Sequence, residues 1–116
     1  MDYRSLNIVG TVRIAPTSSL AETAAKLGAA LGIAFAEDPP GTFDEFPSFS
    51  AKCAGLSFAL LGIPEVAEQI FRESITDYEF QIGLAFRTNG ATETCDASAY
   101  FRELIRERSD LTPIES

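Results

Sequence analysis

The segment Tyr78-Glu79-Phe80-Gln81-Ile82-Gly83-Leu84-Ala85-Phe86 has the most regular alternation of side chains in the chain. Every second residue, from Tyr78 to Phe86, is aromatic or aliphatic. Because successive side chains of a β-strand point to opposite faces, this period of two predicts a strand with one face turned to the core. Thr88-Asn89-Gly90 follows with a turn signal that should end the strand.

Two regular segments precede it near the start of the chain. Leu6–Ile14 alternates in the same way and predicts a half-buried strand. Apolar residues then recur at helical spacing and predict a helix over Leu20–Leu31. Ser19 followed by Glu22 is a capping-box pattern at the start of this helix, and Gly32 is a suitable residue to end it.

The middle of the chain mixes apolar runs with breakers. Ile33–Ala36 predicts a short strand, and the following residues predict a loop or turn that enters a strand near Phe49. The continuous apolar run within Ser50–Ile63 predicts a central strand buried on both faces. Pro64 with Glu65 can open a short helix that ends at Phe71.

The C-terminal part predicts one more helix, beginning near Asp96 or Ser98, with Tyr100 and Phe101 on its apolar face. Residues 111–116 contain Pro113 and predict a flexible tail. This order of elements predicts a single α+β domain spanning residues 1–116. We expect a mostly antiparallel sheet of four to five strands, with two main helices packed on one face.

The composition restricts the classes of partner. The 116 residues include 17 acidic and 9 basic side chains, for a net charge of −8. Such a surface repels nucleic acids and anionic membranes and favours encounter with a basic protein, although solubility alone also explains the charge. The two cysteines, and the absence of a signal-like or transmembrane-length apolar segment, predict a cytoplasmic protein.

Few residues in the chain are suited to catalysis. It contains no histidine, so a Ser-His-Asp or Cys-His arrangement cannot form within it. The sequence has no glycine-rich phosphate loop and no zinc pattern, and we expect no cofactor and no metal. Acid pairs such as Glu37-Asp38 and Asp44-Glu45 leave open a carboxylate-dependent hydrolase or isomerase. A structural module that oligomerises through a strand edge is a further alternative.

Acidic residues are concentrated in one part of the chain. The span Glu37–Glu79 contains nine acidic and two basic residues, a net charge of −7. Its prolines stiffen the first loop before binding, and Phe43 and Phe46 can either anchor a partner or plug the loop onto the core. Phe49 is expected in the core. The predicted partner-binding residues are Glu37, Asp38, Phe43, Asp44, Glu45, Phe46, Asp77 and Glu79.

Four short segments carry a resemblance to a known class of protein. They are Leu31-Gly32-Ile33-Ala34-Phe35, Glu45-Phe46-Pro47, Leu60-Leu61-Gly62-Ile63-Pro64 and Asp77-Tyr78-Glu79-Phe80. With the size and acidity of the chain, they resemble bacterial immunity proteins of contact-dependent growth inhibition systems. The resemblance implies a non-enzymatic cytosolic protein that binds a cognate toxin domain, often a basic nuclease, and blocks its active site. It carries over no individual binding residue. We expect a monomer that awaits this partner.

Overall fold

Nine elements of secondary structure are present in the computed structural model, which describes residues 6–64, 75–85 and 93–114. The two helices are α1 (Leu20–Leu31) and α2 (Ser98–Arg108). The strands are β1 (Leu6–Ile14), β2 (Ala36–Glu37), β3 (Ser48–Cys53), β4 (Leu56–Leu61), β5 (Tyr78–Leu84), β6 (Glu93–Asp96) and β7 (Pro113–Ile114).

The strands form one sheet in the order β2-β3-β4-β5-β1-β6, and β7 also pairs with β1. The described pairings are antiparallel except that of β1 with β6, which is parallel. β1 therefore has three partners. Its residues 10–14 pair with β5, while along its other edge residues 6–9 pair with β6 and residues 13–14 with β7.

One face of the sheet packs against both helices and forms the hydrophobic core. Phe80 of β5 is fully buried there, and its ring lies 5.8 Å from that of Phe58 on β4 and 6.0 Å from that of Phe101 on α2, measured between centroids. The other buried members of this core are Val12, Ile14, Ala24, Leu27, Ala51, Leu60, Tyr78, Ile82, Ile105 and Leu111. Because both helices contribute to the same cluster, both lie on this face.

The structure confirms the α+β class with two helices and a mostly antiparallel sheet. β1 and α1 begin and end where the sequence predicts. Ser19 Oγ accepts the N–H of Glu22 at 3.1 Å, which is one half of the predicted capping box. Gly32 ends α1 in a left-handed conformation with φ of 71°. The last four residues of β4 are all buried, as expected of a strand that lies between two others.

Two predictions about the middle of the chain are corrected. The short strand is β2 at Ala36–Glu37 and not Ile33–Ala36. Within Ser50–Ile63 the chain reverses at Ala54 and Gly55, whose φ angles are 53° and 79°, so this segment holds part of β3 and all of β4. With the short strands β2, β6 and β7, the sheet of the described residues has seven strands where four to five were expected.

The C-terminal segment also differs from the prediction of a flexible tail. Leu111 is buried in the core, and Pro113 and Ile114 pair with β1 as β7. The N–H of Ala15 donates to the carbonyl of Thr112 at 2.9 Å. Residues 111–114 are thus part of the packed fold. The predicted helix to Phe71, the turn at residues 88–90, and residues 86 and 115–116 lie outside the described residues.

Candidate partner-binding surface

The face of the sheet opposite the helices carries polar side chains in register. Directly paired residues of antiparallel strands share a face, so each cross-strand pair extends a row across the sheet. One row consists of Ser48, Leu61, Glu79 and Arg13, and the next of Ser50, Ala59, Gln81 and Thr11. The first row runs across β3, β4, β5 and β1 at the end of the sheet where the loop before β3 begins.

Asp38 connects the start of this loop to the face of the sheet that lies opposite the helices. Its N–H donates to the carbonyl of Ser48 at 3.0 Å. Its Oδ2 accepts hydrogen bonds from the hydroxyls of Ser48 at 2.7 Å and Ser50 at 2.5 Å. Ser48 is almost fully buried, and an unpaired hydroxyl there would be costly. This predicted binding residue therefore has a structural role, because it fixes where the acidic loop leaves the sheet.

The loop itself is folded into two tight turns. Thr42 donates to the carbonyl of Pro39 through both its N–H, at 3.2 Å, and its Oγ1, at 2.6 Å. The N–H of Phe46 then donates to the carbonyl of Phe43 at 3.0 Å. Asp44 lies in this second turn with a left-handed φ of 53°, a conformation that aspartate tolerates better than most residues. The turns hold exposed Asp44 and half-buried Glu45 in defined positions.

A groove of about 500 Å³ lies between this loop and the start of β3. Four of the predicted acids line it: Glu37, Asp38, Asp44 and Glu45. Phe46, Pro47 and Ile63 supply apolar lining, and the described lining contains no basic residue. We refer to this cavity as the acidic groove. The structure thus brings together the acids that sequence analysis selected between residues 37 and 45.

Phe46 connects the acidic groove to a second cavity of about 260 Å³. Asp77 and Glu79 line this second cavity, so the two groups of predicted acids are neighbours through Phe46. Both of these acids already have internal partners. Asp77 forms an ion pair with Arg13, and Glu79 accepts a hydrogen bond from Gln81 Nε2 at 2.6 Å. Asp77 and Glu79 therefore contribute negative charge to the second cavity, while their contacts with Arg13 and Gln81 hold them against the sheet.

The three phenylalanines between residues 43 and 49 have different surroundings. Phe49 packs against the hydrophobic core, as predicted. Phe43 and Phe46 are half-buried and are not among the described residues that pack on that core. Phe46 instead lines both cavities. Of the two, Phe46 is the better placed to contact a partner that enters the acidic groove.

Gly62 allows the loop to approach the body of the domain. Its N–H donates to the carbonyl of Pro47 at 2.7 Å. A Cβ at this position would lie 2.9 Å from Pro47 Cγ and 2.7 Å from Leu20 Cδ2 on α1, which is closer than such atoms approach. We expect Gly62→Ala to lower the free energy of unfolding by about 1–3 kcal/mol, as overpacking usually does. Urea denaturation measures this change.

Gly83→Ala on β5 is the matched control for this prediction. A Cβ at Gly83 would meet no atom within 4 Å, and the change should alter the free energy of unfolding by less than about 1 kcal/mol in either direction. Equal urea midpoints for Gly62→Ala and the wild type would show that Pro47 and Leu20 move aside at little cost. In that case Gly62 does not determine the position of the loop.

Sequence reasoning missed the residues that hold the acids in place. Ser48, Ser50, Gln81 and Arg13 each bond to one of the predicted acids. Alternation in β1 and β5 indicated only that Arg13 and Gln81 face away from the core. It did not indicate which acids they contact. The described residues include no group of three or more acidic or cysteine side chains arranged to hold a metal ion.

Comparison with protein-family models, with curated proteins and with solved structures finds no match to this chain. Among the described residues, neither helix has the length and apolar character needed to cross a membrane.

Proposed function

We propose that this protein binds a basic protein and inhibits it, as an immunity protein of the contact-dependent growth inhibition type that neutralises a toxin domain. The observation that carries the proposal is the acidic groove, whose described lining contains four carboxylates and apolar side chains but no basic residue. The charge of the chain as a whole supports it, because a net charge of −8 favours encounter with a cationic surface.

The chemistry of the groove fits the active site of a nuclease-type toxin. Such an active site must hold phosphate groups, and it does so with arginine, lysine or backbone N–H donors. Carboxylates can accept hydrogen bonds from the same donors. If the cationic side chains of the toxin enter the acidic groove, carboxylates such as Glu37 and Asp44 would therefore pair with them in place of the nucleic acid, and the toxin would be unable to bind its substrate.

The fold lowers the entropic cost of such binding. The loop is held by the Asp38 hydrogen bonds at one end and by the Gly62–Pro47 contact at the other. Between these points, the turns at Thr42 and Phe46 fix the backbone. A segment that is ordered before it binds loses less conformational freedom on docking. The acids are thus presented by a rigid frame and not by a free tail.

The proposal is tested with the product of the adjacent upstream gene as the candidate partner. We expect a stable complex whose association rate falls by about tenfold or more when the NaCl concentration rises from about 50 mM to about 500 mM, because salt screens the attraction between opposite charges. Surface plasmon resonance or stopped-flow fluorescence measures this rate. Absence of a complex at low salt, with no basic protein co-purifying, would exclude the proposed role.

A charge reversal locates the binding surface. Glu37 is exposed on β2 and lines the acidic groove, whereas Glu107 is exposed on α2, outside the groove. We expect Glu37→Lys to slow association by several-fold to about tenfold, while Glu107→Lys, with the same change in net charge, has a much smaller effect. Equal slowing in both variants would mean that the total charge of the protein, and not the acidic groove, attracts the partner.

A further inference from the structure

A cavity of about 280 Å³ is lined by residues of α2, of the end of α1 and of the turn between β3 and β4. It lies on the face of the sheet that packs against the helices, away from the acidic groove, and none of the eight predicted partner-binding residues lines it. Most of its described lining is apolar: Phe58 and Phe101 belong to the core, and Leu31, Ile33 and Leu104 are partly buried around that core. We refer to this cavity as the apolar groove.

Three residues of α2 line the apolar groove at intervals of four: Tyr100, Leu104 and Arg108. Residues four apart lie on the same side of a helix, so these three form one stripe along α2. At 1.5 Å per residue, the stripe extends over about 12 Å of the helix axis. It begins with an aromatic side chain and ends with a cation.

Tyr100 is the most exposed large hydrophobic side chain in the part of the chain that the structure describes. Its ring nevertheless packs edge-on against that of Phe101, at a centroid distance of 5.3 Å. The ring is therefore held in position while much of its surface faces water. A ligand that covers this surface removes apolar area from water without first having to order the ring.

Arg108 is the only charged residue in the described lining. It is exposed, and its side chain takes part in no ion pair or hydrogen bond with the described residues. The residues three and four positions before it are Ile105 and Leu104, whereas Arg106 has Glu103 at the first of these spacings and pairs with it. The guanidinium of Arg108 is thus available to a carboxylate, which it can bind through two parallel N–H donors.

We propose that the apolar groove binds a small monocarboxylic acid with an apolar chain, of the size of a medium-chain fatty acid. The chain would cover Tyr100 and Leu104, and the carboxylate would accept hydrogen bonds from Arg108. Charge complementarity determines the polar end of this ligand, because the one charge of the described lining is positive. The volume is near the lower limit of small-molecule sites, so a small ligand fits. This site does not depend on the function proposed for the acidic groove.

Nuclear magnetic resonance titration of the intact protein tests the proposal with octanoate, octanamide and acetate in separate arms at constant ionic strength. Octanamide has the chain without the charge, and acetate has the charge without the chain. We expect octanoate to shift the amide resonances of Tyr100, Leu104 and Cys53 saturably, and octanamide to bind about two- to fivefold more weakly, the range for an exposed ion pair. Acetate should give no saturable shift. The proposal is wrong if octanoate gives none, or if octanamide or acetate binds as tightly as octanoate.

Two matched substitutions on α2 test the role of Arg108. Arg108→Gln should remove the preference for octanoate over octanamide. Arg106→Gln should retain it, because Arg106 is also exposed in the last turn of α2 but lies outside the apolar groove. The two variants have the same net charge. An equal preference in both, whether lost or retained, would show that Arg108 does not bind the carboxylate and would overturn the proposal.

The two cysteines locate the ligand within one sample. Both are exposed free thiols, but Cys53 lines the apolar groove and Cys95 lies on β6, outside it. At an octanoate concentration of about twice its Kd, mass action should slow the alkylation of Cys53 by iodoacetamide about threefold, with Cys95 unchanged. Peptide mass spectrometry measures both rates. If octanoate does not slow alkylation of Cys53, or slows that of Cys95 equally, the ligand does not occupy this groove.

Discussion

Phe80→Ala is expected to lower the free energy of unfolding by about 3–5 kcal/mol, the largest effect of any single substitution considered for this protein. Phe80 has no solvent exposure, and its ring packs against the rings of Phe35, Phe58 and Phe101. Phe58 is on β4, Phe101 is on α2, and Phe35 directly precedes β2. Truncation would leave a cavity that β4, β5 and α2 cannot all close. A loss of this size is a large fraction of the total stability of a small domain.

Urea denaturation monitored by circular dichroism measures this loss. Phe80→Leu serves as a second variant if Phe80→Ala does not fold, because it retains most of the volume and should cost less. Phe46→Ala is the matched control: the same chemical change at a half-buried position outside the core should cost less than about 2 kcal/mol. Equal losses for Phe80→Ala and Phe46→Ala would contradict the assignment of Phe80 to the centre of the core.

The elements that local patterns determine were predictable from the sequence. β1 and β5 follow from alternation, because one face of each is buried and the other is not. α1 follows from helical spacing together with Ser19 and Gly32 at its ends, which are signals that lie within the helix or next to it. These features need no knowledge of the rest of the chain.

The features that were missed have either an atypical local sequence or a partner that is distant in the chain. The turn between β3 and β4 places Ala54 at a φ of 53°, and alanine is not a turn signal for such a conformation. Pro113 and Ile114 form a strand only because Ile14 and Arg13 lie beside them.

Gly28 of α1 has a packing role that its position in the sequence does not reveal. From its sequence position this glycine only weakens a helix. In the structure a Cβ at Gly28 would lie 2.5 Å from the carbonyl oxygen of Ile33, where the chain returns past the helix, so no larger residue fits.

The sequence indicated that the acids between residues 37 and 45 lie close together, but it did not indicate their individual contacts. The acids between residues 37 and 45 do meet in one groove, since a short loop keeps them together whatever the fold. Asp77 and Glu79 join them only through the pairing of β4 with β5 and the placement of Phe46. The roles of the acids could not be read from composition. Asp38 and Asp77 hold the fold through Ser48, Ser50 and Arg13, whereas Glu37 and Asp44 are exposed.

Phe46→Ala should weaken the complex with the proposed basic partner by about 30-fold or more, which corresponds to about 2 kcal/mol and is typical of a buried aromatic anchor. Phe46 lines the acidic groove and the neighbouring cavity, so a partner that fills either one would cover its ring. Binding energy at interfaces is concentrated in such aromatic residues, and the surrounding charges mainly control the rate of encounter.

Isothermal titration calorimetry and surface plasmon resonance measure the effect, with Tyr100→Ala as the control. Tyr100 is an aromatic residue of α2 that is 65% exposed and lies outside both cavities, so its loss should leave affinity unchanged. If Phe46→Ala binds as tightly as the wild type, Phe46 only closes the loop onto the sheet. The kinetics separate the two contributions, because loss of an anchor increases the dissociation rate, whereas Glu37→Lys should reduce the association rate. Faster dissociation of Phe46→Ala together with slower association of Glu37→Lys would identify the acidic groove as the surface that contacts the partner.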